Sequence, residues 1–320
     1  MSLSEFELIQ RYFAEASTDA SVALGIGDDC AVLSVPTGQQ LAVSIDSLVQ
    51  GTHFLEGTPA DLLASRLFGS ALSDLAAMGA TPAWLTLALT LPESDEDWLQ
   101  LFSSRLAQLC NEYHVSLVGG DTTKGPLTLS AQVHGFLPCD HRLTRAGAKV
   151  GDLICVSGCL GDSRGGLDGL LNGFDNLAEA GYLLERFYAP TPRIELGKIL
   201  LGKANSCIDI SDGLLSDLSH ILKASGGLGA RLQLEAVPIS SQLIATFGEE
   251  SARQWALTGG EDFELCFTLP PNYLALLSQL PVPVAVIGKV TDRADIELFL
   301  RGEPCQIQGS GYDHFQRTDD

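Results

Sequence analysis

Apolar residues recur along this chain at spacings that predict alternating helices and strands. Spacing of three to four residues predicts helices at 3–16, 59–78 and 94–113. Short apolar runs predict strands at 41–46, 83–91, 115–118 and 127–137. Gly79 is predicted to end the second helix, and Ser94 with Asp97 to cap the third. Strands and helices are therefore mixed from the start of the chain.

A polar, glycine-containing stretch at 138–151 interrupts this pattern and is the predicted boundary between two domains. Beyond it, helices are predicted between 158 and 202 and at 213–225. Strands are predicted at 153–157, 207–210, 231–234, 263–269, 284–290 and 296–300. The predicted fold class is α/β, with two mixed α/β domains at 1–140 and 149–320.

The balance of charge narrows the possible partners. The 320 residues include 40 acidic and 19 basic side chains, a net charge of −21. Such a field repels nucleic acid and anionic membranes, so neither is a predicted partner. A polyphosphate would bind to so acidic a chain only with cations between the two. The N-terminal segment does not resemble a signal peptide and no stretch reaches membrane-span length, so the predicted location is the cytoplasm.

Eight cysteines are scattered along the chain without a Cys-x-x-Cys pair or zinc-like spacing with histidine. Cys207 and Cys266 lie in apolar runs and are predicted to be buried thiols. The cysteines therefore add no metal site to the predicted chemistry.

Six aspartates occupy turns, or the ends and apolar faces of predicted elements. They are Asp29, Asp46, Asp74, Asp121, Asp209 and Asp212. Asp46 and Asp121 are each predicted to follow the end of a strand or to close it, and Ser211 to share a strand face with Asp209. A carboxylate in apolar surroundings costs free energy unless something neutralises it. Simpler explanations exist for single members, since Asp212 could cap the next helix and Asp74 could pair with an arginine.

Carboxylates beside glycines suit one particular ligand. Hard oxygen atoms are what Mg²⁺ binds, usually together with waters and substrate phosphates, and glycine lets the main chain approach a ligand closely. The P-loop pattern Gly-x-x-x-x-Gly-Lys-[Ser/Thr] does not occur, and the glycine-rich stretch 158–166 is predicted to be a tight turn from strand to helix. The acids therefore predict an enzyme that binds ATP through several Mg²⁺ ions.

A series of short motifs runs in order through nearly the whole chain. It consists of GIGDDCA at 25–31, SIDSLV at 44–49, HF at 53–54, SDLAAMGA at 73–80, GGDTT at 119–123, LTRAGA at 143–148, IDISDGL at 208–214, GGEDFEL at 259–265 and GYDHF at 311–315. In this series the chain resembles the thiamine-monophosphate kinase family, within the aminoimidazole-ribonucleotide-synthetase-like superfamily. It departs at Ile45, where the family often has threonine, and at Ser70, where related sequences often have asparagine.

The resemblance implies ATP-dependent conversion of thiamine phosphate to thiamine diphosphate. The implied Mg²⁺ ligands are Asp29, Ser44, the Ile45 main chain, Asp46, Asp74, Asp121, Asp209 and Asp212. The implied ATP contacts are Gly120, Asp121, Arg145 and Ser211, with Asp121 and Arg145 as the catalytic pair. The implied thiamine phosphate contacts are His53, Glu261 and Tyr312. The family fold further implies a homodimer in which the N-terminal sheets of two subunits join into a barrel.

The implied reaction needs no strong base. Its acceptor is a phosphate monoester with a second pKa of about 6, so the attacking oxygen is largely deprotonated at neutral pH. Direct in-line transfer without a phosphoenzyme is therefore predicted. Two alternatives remain open: another ATP-using enzyme of the superfamily, such as a selenophosphate synthetase or a ring-closing ligase of purine synthesis, or a non-catalytic regulator that binds nucleotide and Mg²⁺.

Overall fold

A computed structural model describes residues 5–13, 19–174 and 177–307. Within them, the chain divides into two compact units. The first takes the residues up to Leu75 and Ala80–His141, and the second takes Ala76–Gly79 and the residues from Arg142 onward. This division falls within the polar stretch 138–151, and the domain limits at 140 and 149 stay predictions.

The first unit is built on a four-stranded sheet. The strands of the first unit are β1 (Val22–Leu24), β2 (Val32–Leu33), β3 (Gln39–Val49), β4 (Thr81–Leu91), β5 (Ser116–Lys124) and β6 (Thr128–Pro138). Its helices are α1 (Glu5–Tyr12), α2 (Ala60–Met78), whose last residues belong to the second unit, and α3 (Glu96–Glu112). The sheet has the order β3-β6-β4-β5, and β1 pairs with β2. β6 is antiparallel to β3 and β4, whereas β5 is parallel to β4.

Helix α2 is buried almost all round, although its sequence predicts an amphipathic helix. Leu63 and Leu67 are fully buried, but so are the polar side chains of Arg66 and Ser73. The helix ends as predicted at Gly79, whose φ of +74° is rarely adopted by residues with a side chain. The polar positions therefore do not mark a solvent face.

Two strands of this unit are longer than predicted. β3 continues to Val49, so the prediction that Asp46 ends a strand is wrong. β5 continues to Lys124, so Asp121 also lies within a strand and not after one. The reason is tertiary, because β6 pairs with β3 and β4 pairs with β5 along these additional residues.

The predicted cap of α3 is also wrong. Asp95, rather than Ser94, is its N-cap residue. The Asp95 carboxylate accepts hydrogen bonds from the amides of Asp97 and Trp98, at 2.9 and 3.2 Å. A carboxylate at this position also interacts favourably with the helix dipole.

The second unit contains a seven-stranded sheet. Its strands are β7 (Leu153–Ser157), β8 (Ser206–Asp209), β9 (Gly229–Gln233), β10 (Leu265–Leu269), β11 (Val284–Thr291), β12 (Ile296–Leu300) and β13 (Glu303–Cys305). Its helices are α4 (Asp162–Asn172), α5 (Leu177–Tyr188), α6 (Ile194–Leu200), α7 (Leu214–Ala224) and α8 (Ser241–Thr258), with short 3₁₀ helices at Leu234–Ala236 and Pro271–Gln279. The sheet order is β13-β12-β9-β11-β7-β10-β8. Ile154, Ile208 and Leu218 belong to its buried core.

Two features of this unit differ from the sequence prediction. β8 ends at Asp209, so Ser211 lies beyond the strand and does not share a strand face with it. The apolar spacing does not predict α8, which Ser240 caps by accepting a hydrogen bond from the Leu243 amide at 3.0 Å. A kink at Gly248, where φ is +79°, interrupts the helical spacing inside α8.

All eight cysteines are free thiols. Cys207 and Cys266 are buried in β8 and β10, as predicted, and burial raises the pKa of Cys155 to about 12. Within the described ranges, none of the helices combines the length and the apolar character needed to cross a membrane.

Candidate functional site

Two predicted metal ligands of the first unit are in direct contact. The Ser44 hydroxyl on β3 donates a hydrogen bond to Asp74 Oδ2 on α2. Ser44 and Asp46 are half-buried, whereas the Ile45 side chain between them is 60% exposed. Because side chains alternate along a strand, Ser44 and Asp46 share one face of β3. The Ile45 side chain offers no oxygen, so only its carbonyl is available as a ligand.

Asp121 is exposed on β5, next to Gly120. A Cβ atom built at Gly120 would lie 1.8 Å from the Leu87 carbonyl oxygen of β4. A Cβ atom at Gly119 would meet nothing within 4 Å. The neighbouring strand therefore requires glycine at position 120. The sequence alone suggested a different reason, namely close approach of the main chain to a ligand.

Asp29 is exposed in the turn between β1 and β2. Its amide donates a hydrogen bond to Asp28 Oδ1 at 2.8 Å, and Gly27 before them has a φ of +124°. Both carboxylates of this turn are therefore open to solvent on a main chain that glycine allows to bend.

His53 follows β3 in a turn and is half-buried. Its Nδ1 atom accepts a hydrogen bond from the Val49 amide at 3.1 Å, and its own amide donates to the Val49 carbonyl at 2.9 Å. Gly51 and Phe54 line a cavity of about 930 Å³ whose wall also includes Trp98. The main chain of β3 thus orients His53, and residues on both sides of it face a cavity.

In the second unit, main-chain hydrogen bonds join two predicted site segments. Asp209 is the last residue of β8 and is 5% exposed, and Ser211 and Asp212 follow it. The Glu261 amide donates to the Ser211 carbonyl at 2.8 Å. A Cβ atom at Gly260 would lie 2.4 Å from that same oxygen. The structure therefore brings Ser211 and Glu261, with the acids beside Ser211, onto adjacent segments.

The main chain at Glu261 is strained. Glu261 and Phe263 have φ values of +67° and +51°, which residues with a side chain adopt at a cost. The Phe263 amide donates to the Ile210 carbonyl at 2.9 Å, and the Ile210 amide donates to the Glu264 carbonyl at 2.8 Å. Pairing with the end of β8 holds this strain in place.

Asp217 is a site-region residue that sequence reasoning missed. Its Oδ2 atom accepts hydrogen bonds from the amides of Ser211, Asp212 and Gly213, at 3.1, 3.0 and 3.1 Å. Burial, and next the nearby charge of Asp212, raise the pKa of Asp217 to about 7. The N-cap of α7 is Gly213, so the alternative of Asp212 as a helix cap is wrong.

Asp212 and Asp217 form a small cluster with a histidine. Their carboxylate oxygens and a ring nitrogen of His220 lie within 4.8 Å of one another. One oxygen of the buried Asp217 already accepts three amides, whereas Asp212 is half-buried and His220 exposed. Asp212 is therefore the acid of this cluster that is better placed to bind a cation.

A buried charge network surrounds Glu264, which sequence reasoning also missed. Arg193 Nε and Arg186 Nη2 donate to its carboxylate at 2.6 and 2.9 Å, and the Ser157 hydroxyl donates at 2.6 Å. Burial opposes ionisation of Glu264, but Arg193 and Arg186 outweigh burial and hold its pKa below the ordinary value. The end of the GGEDFEL motif is thus anchored by two arginines.

Asp262 occupies the amides at the start of α4. Its carboxylate accepts hydrogen bonds from Gly161 at 2.6 Å and Ser163 at 3.2 Å. Burial raises the pKa of Asp262 to about 8, and the nearby Asp162 acts in the same direction. The predicted turn from β7 into α4 is confirmed for residues 158–161, whereas the rest of the stretch 158–166 belongs to α4, which begins at Asp162.

Arg145 is exposed in a segment held against β8. The Thr144 carbonyl accepts a hydrogen bond from the Cys207 amide of β8 at 2.9 Å. On the other side, a Cβ atom at Gly147 would lie 2.4 Å from the Asn205 carbonyl oxygen. Contacts on both sides thus hold the main chain of Arg145, while its side chain faces solvent.

The predicted site residues fall into two groups, one in each unit. The first unit holds Asp29, Ser44, Ile45, Asp46, His53, Asp74, Gly120 and Asp121. The second holds Arg145, Asp209, Ser211, Asp212 and Glu261. Tyr312, the third predicted substrate contact, lies outside the described residues.

Two family models match the chain. The AIR synthase related protein, N-terminal domain, matches residues 27–137, and the AIR synthase related protein, C-terminal domain, matches residues 149–301. Together they span most of the chain, which supports the mixed α/β fold class predicted from the sequence.

Individual relatives narrow the family. The thiamine-monophosphate kinase of Escherichia coli (strain K12) is 52% identical over 326 residues, which cover 98% of this chain and 99% of the relative. The chain belongs to the thiamine-monophosphate kinase family. The crystal structure of the thiamine-monophosphate kinase from Stenotrophomonas maltophilia K279a is 40% identical, with a TM-score of 0.85, and the match covers 95% of this chain and 99% of that one.

A second structure of the family carries ligands. It is described as AaThiL complexed with AMPPCP and TMP, and it is 30% identical to this chain with a TM-score of 0.78. The match covers 91% of this chain and 92% of that one. The resemblance inferred from the ordered motifs is therefore confirmed, and so is the fold class.

Proposed function

We propose that this chain transfers the terminal phosphoryl group of ATP to the phosphate of thiamine phosphate, forming thiamine diphosphate. The observation that carries the proposal is the 52% identity to a thiamine-monophosphate kinase over 98% of the chain. The relative described as complexed with AMPPCP and TMP supports the same pair of substrates. A cytoplasmic location stays a prediction from the sequence.

The donor set of the two units fits Mg²⁺. In the first unit we propose the ligands Asp29, Ser44, the Ile45 carbonyl, Asp46, Asp74 and Asp121, and in the second unit Asp209 and Asp212. All are carboxylate, hydroxyl or carbonyl oxygens, which are the ligands that Mg²⁺ prefers. When bound, Mg²⁺ would neutralise phosphate charge that a chain of net charge −21 otherwise repels.

The residues of the chain have to position the two substrate phosphates and balance their charge, and they need not supply a base. The acceptor phosphate has a second pKa of about 6 and is already deprotonated at neutral pH. Arg145, exposed on a segment held against β8, is the proposed contact with the phosphate oxygens of ATP. Gly120, Asp121 and Ser211 are the further proposed ATP contacts. Held in line, the two phosphates react without a covalent enzyme intermediate.

Three residues are the proposed contacts with thiamine phosphate. His53 is supported by its position between residues that line the cavity of the first unit. Glu261 is supported by its strained main chain, since such strain clusters at binding sites. Tyr312 is proposed from the family motif alone.

The exposed apolar side chains of β3 support a homodimer. Leu41, Val43 and Ile45 occupy every second position of this strand and therefore lie on one of its faces. They are 43%, 52% and 60% exposed. A contiguous apolar row on a sheet is unfavourable in water and is typical of an interaction surface. A second copy of the chain, joined through this sheet into a barrel, is the partner that we propose.

The deciding experiment is an assay of the purified chain with ATP, Mg²⁺ and thiamine phosphate. We expect thiamine diphosphate and ADP to form in equal amounts, measured by chromatography. Thiamine is the control acceptor, and it should yield no product because it lacks the attacking phosphate. No thiamine diphosphate at saturating Mg²⁺ would show that the proposed function is wrong.

Direct transfer has its own test. ATP labelled in its terminal phosphate is incubated with the chain without acceptor, and the protein is then separated and counted. We expect no label on the protein. Label that remains bound and then passes into product on addition of thiamine phosphate would contradict direct transfer while leaving the overall reaction intact.

A further inference from the structure

Turns that present backbone amides are common phosphate sites in nucleotide-binding folds. In two such turns of the second unit, the amides donate hydrogen bonds to buried carboxylates of the chain itself. Asp262 accepts hydrogen bonds from the amides of Gly161 and Ser163 at the start of α4. Asp217 does the same for the loop before α7. Those amides are therefore already bonded when a nucleotide arrives.

Asp217 accepts more of these hydrogen bonds than Asp262 does. A single oxygen, Oδ2, accepts the amides of Ser211, Asp212 and Gly213 at distances of 3.0 to 3.1 Å. The Asp217 side chain is 1% exposed. Because three consecutive amides donate to this one buried oxygen, it fixes three consecutive main-chain units.

The fixed loop carries groups with roles in the proposed reaction. Asp212 is a proposed metal ligand, and its carboxylate lies within 4.8 Å of that of Asp217. The Ser211 carbonyl also accepts the Glu261 amide at 2.8 Å. A shift of this loop would therefore move the proposed contacts with metal, ATP and thiamine phosphate together.

We propose that Asp217 is a positioning residue for metal binding. It accepts the amides of the loop 211–213 and thereby holds the Asp212 carboxylate in position to bind the cation. Because these amides are already bonded, phosphates bind through cations and not through the amides. Asp217 is 1% exposed and one of its oxygens already accepts three amides, so we assign its role to the loop and not to direct metal ligation. Its effect on catalysis rests on the proposed function, whereas its effect on the loop does not.

Two variants and a matched control test this role. Asp217→Asn keeps the shape and one oxygen but removes the charge, and Asp217→Glu keeps the charge but moves the oxygens. Asp152→Asn makes the same change at another buried acid of this unit. Asp152 is 4% exposed and accepts the Lys149 amide at 2.9 Å and the Asn205 side chain at 2.8 Å.

Three measurements are compared between the wild type and these variants. They are hydrogen–deuterium exchange of the peptide that spans 211–213, Mg²⁺ binding with a non-hydrolysable ATP analogue by calorimetry, and the Mg²⁺ dependence of turnover. In both Asp217 variants we expect faster exchange and Mg²⁺ binding weakened about 10- to 100-fold, as for other groups that orient metal ligands. Asp152→Asn should lower the melting temperature but leave all three measurements at wild-type values.

A purely structural role would give a different pattern. If the Asp217 variants lose thermal stability as Asp152→Asn does, yet keep wild-type exchange and Mg²⁺ binding, the positioning role is overturned. If Asp217→Asn does not fold, Asp217→Glu decides. If the wild type forms no thiamine diphosphate, the proposed function fails, but exchange and Mg²⁺ binding still decide about Asp217.

Discussion

At the scale of single residues, four carboxylates of this chain illustrate two contrasting environments. Asp29 and Asp121 are exposed and can share a cation with water and phosphate. Asp217 and Asp262 are buried and accept main-chain amides. Buried carboxylates of this kind support the chain around a site, whereas exposed ones are available to a ligand.

Asp121→Asn tests the proposed metal site at its most exposed strand position. The substitution removes the charge that would bind Mg²⁺ but leaves the side chain in solvent. We expect turnover to fall by about 100-fold or more, while the melting temperature changes little. Asp140→Asn, at another exposed acid of the same unit, should keep wild-type turnover. Unchanged turnover in Asp121→Asn would remove Asp121 from the metal site.

Asp262 makes stability depend on pH. Its pKa is raised to about 8 in the folded chain, from 3.8 without the fold. Between these values the folded state binds more protons than the unfolded state. The free energy of unfolding therefore falls as pH rises, with a limiting slope of about 1.4 kcal/mol per pH unit.

Urea denaturation across this pH window measures the effect. Asp262→Asn removes the titrating group, so we expect its free energy of unfolding to fall less with rising pH than that of the wild type. Asp292→Asn, at an exposed acid, is the control and should follow the wild-type profile. Parallel profiles for Asp262→Asn and the wild type would contradict the raised pKa.

At the scale of elements, the approach of β5 to β4 depends on one glycine. The ladder between these strands has an irregularity between Leu85 and Thr86, and Gly120 pairs with Leu87 just beyond it. The strands come so close there that no side chain fits at position 120. This pairing also fixes the position of Asp121, the next residue on β5.

Gly120→Ala tests this packing without reference to activity. Its methyl group would force β5 away from the Leu87 carbonyl, so we expect the free energy of unfolding to fall by about 2 kcal/mol or more. Gly119→Ala makes the same change one residue earlier, where a Cβ atom has open space, and should cost about 1 kcal/mol or less. Equal losses in the two variants, measured by urea denaturation, would contradict the close approach.

At the scale of the whole molecule, two surface properties bear on assembly. The net charge of −21 disfavours non-specific association between copies, since like charges repel. The apolar row Leu41, Val43 and Ile45 on β3 favours a specific contact instead. The homodimer that we propose, joined at β3, is consistent with both properties.

Val43→Lys places a charge in the middle of this row. We expect the sedimentation mass to change from that of a dimer in the wild type to that of a monomer, because a buried unpaired lysine is unfavourable. Leu274→Lys, at a 53% exposed apolar residue of the second unit, should remain dimeric. A monomeric wild type would show that the homodimer is wrong.

Most elements of the fold follow from apolar spacing, because that signal is local. The strand at 153–157 is confirmed at both ends, and α2 ends where Gly79 predicts. The ends of β3 and β5 do not follow from local spacing, because partners far along the chain extend them. The same limit applies to the site, where Asp217 and Glu264 look like ordinary acids beside apolar residues until the fold supplies their donors.

By itself the sequence determined the family, and with it the proposed substrates, because the order of the motifs is a property of the chain and does not depend on the fold. Only the tertiary structure decided which carboxylates support the main chain and which remain open to a ligand. Asp262 and Gly161, whose amide donates a hydrogen bond to the Asp262 carboxylate, are 101 residues apart in the sequence. Glu264 and Arg193 are 71 residues apart. Burial and donors of this kind exist only once distant segments meet.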